Sequence, residues 1–106
     1  MSTEKVMSFG ETIRQLRTEK RMPQRKVAAF LDVDTSLLAK YERNVRHPSR
    51  EIIYKLASLF QVSKELLYSE ALTDKIANQI VQENADSKLL VIAAKKVDYI
   101  KSNKII

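Results

Sequence analysis

Apolar side chains recur every three or four positions from Phe9 to Leu67, the spacing of amphipathic helices. Polar stretches that separate the stripes are short, so the connections are tight. The pattern predicts five helices, over about residues 9–20, 24–31, 35–43 and 50–61 and a short one after Ser63. The residues predicted to face inward are Phe9, Ile13, Leu16, Val27, Ala28, Leu31, Leu38, Tyr41, Ile53, Leu56, Ala57 and Phe60.

Residues suited to helix ends flank these stripes. Ser8, with Glu11 three positions later, predicts a capping box at the start of the first helix. Pro23 ends one helix and can open the next. Asp34 and Ser49 are suited to be N-caps of the third and fourth helices. Residues 1–7 before the capping box are predicted to be an irregular leader.

The pattern changes after Tyr68. One apolar stripe repeats every four residues up to Ile80, a polar stretch follows at Glu83–Asp86, and a second stripe steps by three and four residues, the spacing of a coiled-coil seam. Two amphipathic helices, arranged as a helical hairpin, are therefore predicted. Their apolar faces exceed what the first five helices need, which favours dimerisation through Leu72, Ile76, Ile80, Leu90, Ala93, Val97 and Ile100. Phe30, an apolar residue on the second helix, is predicted to pack on these C-terminal helices or on a partner subunit and is counted with the dimerisation residues.

The predicted fold class is all-α, with a five-helix domain over 8–68 and a two-helix extension over 69–106. One Gly and two Pro in 106 residues agree with few, tight turns. No apolar run approaches the ~18 residues of a membrane span, so we expect no membrane partner. The absence of Cys excludes disulfides and thiolate ligands, and it fits a cytoplasmic location. With a single His as well, no metal site is expected.

The net charge of +6 is uneven along the chain. Residues 1–68 hold 13 Lys and Arg against 8 Asp and Glu, a net +5, and residues 69–106 hold 6 against 5, a net +1. A basic excess on the first five helices suits a polyanionic partner. No nucleophile–base pair or phosphate loop is visible, so neither an enzyme nor a cofactor is expected, and the chain is too short for a large pocket for a small-molecule ligand.

The second and third predicted helices are separated by only about three residues. Such a tight turn between crossed helices defines a helix-turn-helix, whose second helix can enter a DNA major groove. Several features around it occur in register: Gln24 at the start of the second helix, then Val27-Ala28, Leu38 and Tyr41-Glu42-Arg43, the loop Arg46-His47-Pro48-Ser49, and Phe60-Gln61-Val62-Ser63 with Leu66-Leu67.

Together these features resemble the Cro- and phage-repressor-like (XRE-type) helix-turn-helix family over about residues 9–67. The resemblance implies an internal ion pair between Arg17 and Glu42. It also implies a sequence-specific DNA-binding transcriptional regulator, a homodimeric repressor or controller protein that binds an inverted-repeat operator in double-stranded DNA. The residues expected to contact DNA are Gln24, Arg25, Thr35, Ser36, Leu37, Lys40, Arg43, Arg46, His47 and Arg50.

Within that set, Gln24 and the basic residues are expected on phosphates, and Thr35, Ser36 and Lys40 on bases. Each could also be an ordinary solvated residue. The sequence departs from the family pattern where Asp32 and Asn44 stand in place of turn glycines, although both residue types tolerate positive φ. The alternative function is a protein-interaction module, antitoxin-like or an adaptor, with the same fold and weak DNA binding.

Overall fold

The structure is a computed structural model that describes residues 6–103, so most of the predicted leader lies outside the described residues. The described part is helical and contains no strand. Its helices are α1 (Phe9–Glu19), α2 (Gln24–Leu31), α3 (Thr35–Glu42), α4 (Arg50–Phe60), α5 (Lys64–Gln82) and α6 (Leu89–Ser102). The all-α prediction is confirmed. No helix within residues 6–103 is long and apolar enough to cross a bilayer.

The chain divides into two compact units, one ending at Asp74 and one beginning at Lys75. In the first unit, α1 to α4 and the first half of α5 surround a single apolar core. The predicted inward-facing residues are buried there, except that Leu16 is only partly buried. The 3.6-residue stripe therefore placed the core correctly, because each helix has only one face that can be removed from water.

The fifth and sixth predicted helices form the single helix α5. The stretch from Tyr68 to Ala71 contains neither Gly nor Pro, so nothing interrupts the backbone hydrogen bonds. Ala71 packs into the core of the first unit, which therefore extends beyond residue 68 to Asp74. Leu67 is buried in the same core, whereas Leu66 is 71% exposed.

The turns after α2 and α3 contain a residue other than glycine with positive φ. Asp32 has φ 59° and Asn44 has φ 62°, which confirms that both accept the left-handed conformation. The capping box of Ser8 and Glu11 forms, and the side chains of Asp34 and Ser49 accept hydrogen bonds from α3 and α4.

The second unit holds the end of α5 and all of α6. α5 ends at the polar stretch 83–86, as the pattern predicted, and Asn84 in that stretch has φ 52°. α6 contains no buried residue, so the predicted hairpin does not bury its apolar face within one chain. A helix of 14 residues is marginal without tertiary packing, and the large apolar side chains of α6 are exposed.

Candidate nucleic-acid interface

The second helix of the motif, α3, has distinct inner and outer faces. Leu38, Tyr41 and Glu42 are buried on the inner face. Thr35 and Ser36 at the N-terminus are exposed, and Lys40 is partly exposed. Three residues, Asp32 to Asp34, separate α2 from α3, so the turn is as short as the sequence predicted. The N-terminal turn of α3 therefore presents short polar side chains to solvent, as a reading helix requires.

Hydrogen bonds to Asp34 organise the N-terminus of α3. The backbone N–H of Leu37 donates to Oδ1 of Asp34 at 2.8 Å, and the hydroxyl of Ser36 donates to the same oxygen at 2.7 Å. The Ser36 hydrogen bond, followed by that from Leu37, lowers the pKa of Asp34 from its ordinary value. Because the proton of Ser36 is used, its oxygen is left to accept, and it suits the amino group of adenine or cytosine.

A buried ion pair holds the other end of α3. Arg17 Nε lies 2.6 Å from Glu42 Oε2, and Arg17 Nη2 donates to Glu42 Oε1 at 3.1 Å. The third nitrogen, Nη1, donates to the carbonyl of Met22 at 2.9 Å. Only 12% of the Arg17 side chain and 4% of the Glu42 side chain are exposed. The internal pair implied by the family resemblance is confirmed, and it joins α1 to α3.

Gln24 belongs to the same network, which the sequence did not indicate. Its Nε2 donates to Glu42 Oε1 at 3.0 Å, so one amide proton is occupied. The second amide proton remains for an external acceptor. Beside it lies a depression of about 220 Å³, lined by Arg14, Arg17, Gln24, Ala39, Glu42 and Arg43. The exposed arginines Arg14 and Arg43 make this depression suited to a phosphate oxygen.

The remaining predicted DNA contacts lie around α3. Arg25, Arg43, Arg46 and His47 are exposed, as phosphate-contacting residues must be. Leu37 is partly buried against the core, so its apolar side chain packs under the first turn of α3. Contact of these residues with DNA stays a prediction.

Arg50 occupies a more constrained place than the sequence suggested. Its guanidinium carbon lies 4.4 Å from the ring centroid of Tyr68, and a hydrogen bond with Tyr68 raises the pKa of Arg50 above its usual value. Tyr68 also contacts Tyr54 edge to face, with ring centroids 6.3 Å apart. A cation on a π face is attracted to the ring, so α5 orients the first residue of α4. Sequence spacing contained no signal for this contact, because it joins separate helices.

The predicted dimerisation residues are mostly exposed. Phe30, Leu72, Ile76, Leu90, Val97 and Ile100 are exposed, and Ile80 and Ala93 are partly buried. They occur in both units, with Phe30 on α2 and the rest on α5 and α6. No group of acidic, His or Cys side chains among residues 6–103 could hold a metal ion.

The crossed pair α2 and α3, with a capped and outward-facing N-terminal turn on α3, is a helix-turn-helix of the repressor-like class. Residues 13–67, just over half of the chain, match the model of the helix-turn-helix family (HTH_3). The chain belongs to this family.

Similar proteins extend the comparison beyond the motif. The chain is 28% identical over 94 residues to the HTH-type transcriptional regulator ImmR of Bacillus subtilis (strain 168), covering 80% of this chain and 74% of ImmR. The crystal structure of the restriction-modification controller protein C.AhdI from Aeromonas hydrophila is 34% identical, with a TM-score of 0.52, over 56% of this chain and 89% of that one.

A second similar structure is the crystal structure of the master regulator for biofilm formation SinR in complex with DNA. It is 31% identical, with a TM-score of 0.51, and the match covers 57% of this chain and 97% of that one. These relatives are regulators and not enzymes. The chain is accordingly a transcriptional regulator of the repressor-like helix-turn-helix type.

Proposed function

We propose that the chain is a homodimeric repressor or controller protein that binds an inverted-repeat operator in double-stranded DNA. The observation that carries this proposal is the difference between the two sides of α3. Its inner side is fixed by Leu38, Tyr41 and the Arg17–Glu42 pair, while Thr35 and Ser36 are exposed. A rigidly held helix with a free polar face is what base reading in the major groove needs.

Phosphate contacts would supply most of the affinity. Gln24 donates one amide proton to Glu42. Its second amide proton would bind one phosphate beside Arg43. Arg25, Arg46, His47 and Arg50 would contact the backbone on either side of the groove. The net +5 of residues 1–68 supports this assignment, since a duplex attracts a basic surface at long range.

Base recognition would rest on the N-terminal turn of α3. Ser36 would accept from an amino group, Thr35 would bond a base edge or touch a thymine methyl, and Lys40 would reach a guanine acceptor. All three contacts are single and not bidentate. Part of the specificity would therefore come from the shape and deformability of the operator.

Dimerisation through residues 69–106 would pair the two α3 helices. The exposed apolar residues of α5 and α6 support this role, because exposed patches of this kind mark association surfaces. A two-fold dimer would read half-sites about 34 Å, or ~10 base pairs, apart. The similarity to a controller protein and to a regulator solved with DNA supports the DNA-binding part of the proposal. Such a regulator would act in the cytoplasm.

One observation favours the alternative, a protein-interaction module. The exposed apolar residues of α6 lie on more than one stripe, since Ile92 and Tyr99 accompany the seam of Leu90, Val97 and Ile100. A second stripe gives room for a different protein. The alternative predicts weak DNA binding together with a chain that does not self-associate.

The two functions are separated by mobility shift with a random duplex at two salt concentrations, together with sedimentation of the full chain. A DNA-binding dimer shows affinity that falls steeply with salt and sediments as a dimer at micromolar concentration. A salt-insensitive, weak shift from a monomer would favour the protein-interaction module.

A further inference from the structure

The first turn of α1 is a junction of three parts of the chain. Its first three backbone N–H groups have no partner within the helix. That of Phe9 donates to Oδ2 of Asp74 at 2.7 Å, that of Gly10 donates to Oδ1 of Asn44 at 2.9 Å, and that of Glu11 donates to the hydroxyl of Ser8 at 3.1 Å. Only the last acceptor belongs to the local cap, and the other two come from distant segments.

Asn44 brings the end of α3 to this turn. Its Nδ2 also donates to the Ser8 hydroxyl at 2.8 Å. The approach is so close that a Cβ on Gly10 would lie 2.5 Å from the carbonyl oxygen of Glu42 and 2.6 Å from that of Tyr41. The single glycine of the chain is therefore used where α1 meets the C-terminus of α3.

Asp74 brings α5 to the same turn. Its carboxylate lies at the positive end of the α1 dipole and accepts a short hydrogen bond, which is a strong combination. Only Leu67 and Ala71 are buried on α5, and Tyr68 contacts Arg50. Asp74 is the last residue of the first unit, so its hydrogen bond is the attachment of α5 nearest to the second unit.

α5 continues past Asp74 without interruption to Gln82. Ile76 and Ile80, two predicted dimerisation residues, follow within its next turns. The first turn of α1 thus contacts both Asn44, which follows α3, and Asp74 on α5, the helix that continues to Ile76 and Ile80.

We propose that Asp74 is a positioning residue that holds α5 on the first turn of α1 and thereby sets the separation of half-sites that the dimer accepts. This inference rests on the proposed function, since it requires a dimer on two half-sites. Without the carboxylate, α5 would pivot about Leu67 and Ala71. The dimer would then accept a wider range of separations, although each α3 would bind its own half-site as before.

The test measures binding of the full chain to a set of duplexes. The operator is first obtained by selection from randomised duplexes with the wild-type chain, and its half-sites are then moved closer together or farther apart by one and two base pairs. Asp74→Ala, Asp74→Asn and the wild type are compared on the set and on a duplex with one half-site. Glu70→Ala is the matched control, because Glu70 is an exposed carboxylate one turn earlier on α5.

We expect the preference for the selected separation to fall about tenfold in Asp74→Ala, the effect of losing a hydrogen bond to a charged group. Single half-site binding should stay within about twofold of wild type, as for a substitution outside the DNA contacts. Asp74→Asn keeps an acceptor oxygen and should retain most of the preference, and Glu70→Ala should retain all of it. The Phe9 amide should exchange with solvent faster in Asp74→Ala alone.

A loss of affinity that is equal at all separations would overturn the inference and leave the proposed function intact, because Asp74 would then only stabilise the fold. An unchanged preference in Asp74→Ala would overturn it in the same way. A wild-type chain that selects no paired half-sites would overturn the proposed function and this inference with it.

Discussion

Arg17 and Glu42 form a bidentate ion pair that is almost fully removed from solvent, with Nε 2.6 Å from Oε2 and Nη2 3.1 Å from Oε1. The pair joins the last turn of α1 to the last residue of α3. Every nitrogen of the guanidinium has an acceptor, since Nη1 binds the Met22 carbonyl. The orientation of α3 therefore depends on a buried charge pair, and replacing either member alone destabilises the fold.

Glu42→Gln should lower the free energy of unfolding by about 3 kcal/mol, because removal of one partner leaves a buried guanidinium without its counter-charge. Urea unfolding followed by circular dichroism measures this. The matched control is Glu51→Gln, which removes the exposed pair of Glu51 with Lys55 at 3.8 Å and should cost about 0.5 kcal/mol or less. Equal effects from the two substitutions would show that the Arg17–Glu42 pair behaves as a surface pair.

Gln24→Ala and Arg46→Ala should both weaken binding to all duplex sequences, since phosphates carry no base information. The salt dependence should separate them. Loss of the Arg46 charge should reduce the slope of log affinity against log salt by about one, whereas loss of the neutral Gln24 should leave the slope unchanged. Mobility shifts at several salt concentrations provide the measurement.

Lys55→Ala is the control for that series, because Lys55 lies on α4 beside Glu51 and outside the predicted contacts. Gln24→Ala also removes a hydrogen bond to Glu42, so its unfolding must be followed in parallel. Wild-type affinity of both Gln24→Ala and Arg46→Ala at the same salt would refute the phosphate contacts proposed for Gln24 and Arg46.

Val97→Glu should convert the dimer to monomers, because a carboxylate in an apolar seam is left without a partner. Val91→Glu is matched to it in residue type and helix, and Val91 lies outside the predicted seam. We expect Val91→Glu to remain dimeric. Analytical ultracentrifugation at micromolar concentration tests both, and a Val97→Glu chain that remains dimeric would place the interface elsewhere.

The N-cap of α3 should contribute stability that depends on pH. The Ser36 and Leu37 hydrogen bonds lower the pKa of Asp34 below 3.8, so the contribution is fully present above that pH and is lost as pH falls through the folded-state pKa. Asn caps a helix equally well but does not titrate. The free energy of unfolding of wild type relative to Asp34→Asn should therefore decrease as the pH is lowered below 3.8. A stability difference that does not change with pH would show that the Asp34 carboxylate does not provide this contribution.

The helices and core followed from the sequence because they depend on local signals. The stripes of α1 to α4 and the caps Ser8, Asp34 and Ser49 act over a few residues, and one face of each helix has to be buried. The continuity of α5 from Lys64 to Gln82 did not follow. No residue type between Tyr68 and Ala71 favours or prevents a helix end, and tertiary packing of Ala71 decides the outcome.

The helix-turn-helix and its Arg17–Glu42 pair were expected from the sequence, but the other hydrogen bonds within the candidate site were not. Gln24 was expected on phosphate, and its bond to Glu42 depends on how α2 crosses α3. The bond between Phe9 and Asp74 joins residues 65 positions apart, a separation over which no periodic pattern carries information. Contacts of that kind are set by the packing of whole helices.

Selection from randomised duplexes with the full chain tests whether a dimer of this chain reads an inverted repeat through α3. We expect an enriched sequence with two-fold symmetry, half-sites centred ~10 base pairs apart, and moderate preference at each position. In Lys40→Ala, one symmetric pair of positions should lose its preference. If the wild-type chain enriches no sequence, or enriches a single half-site without symmetry, then the chain does not read an inverted repeat as a dimer.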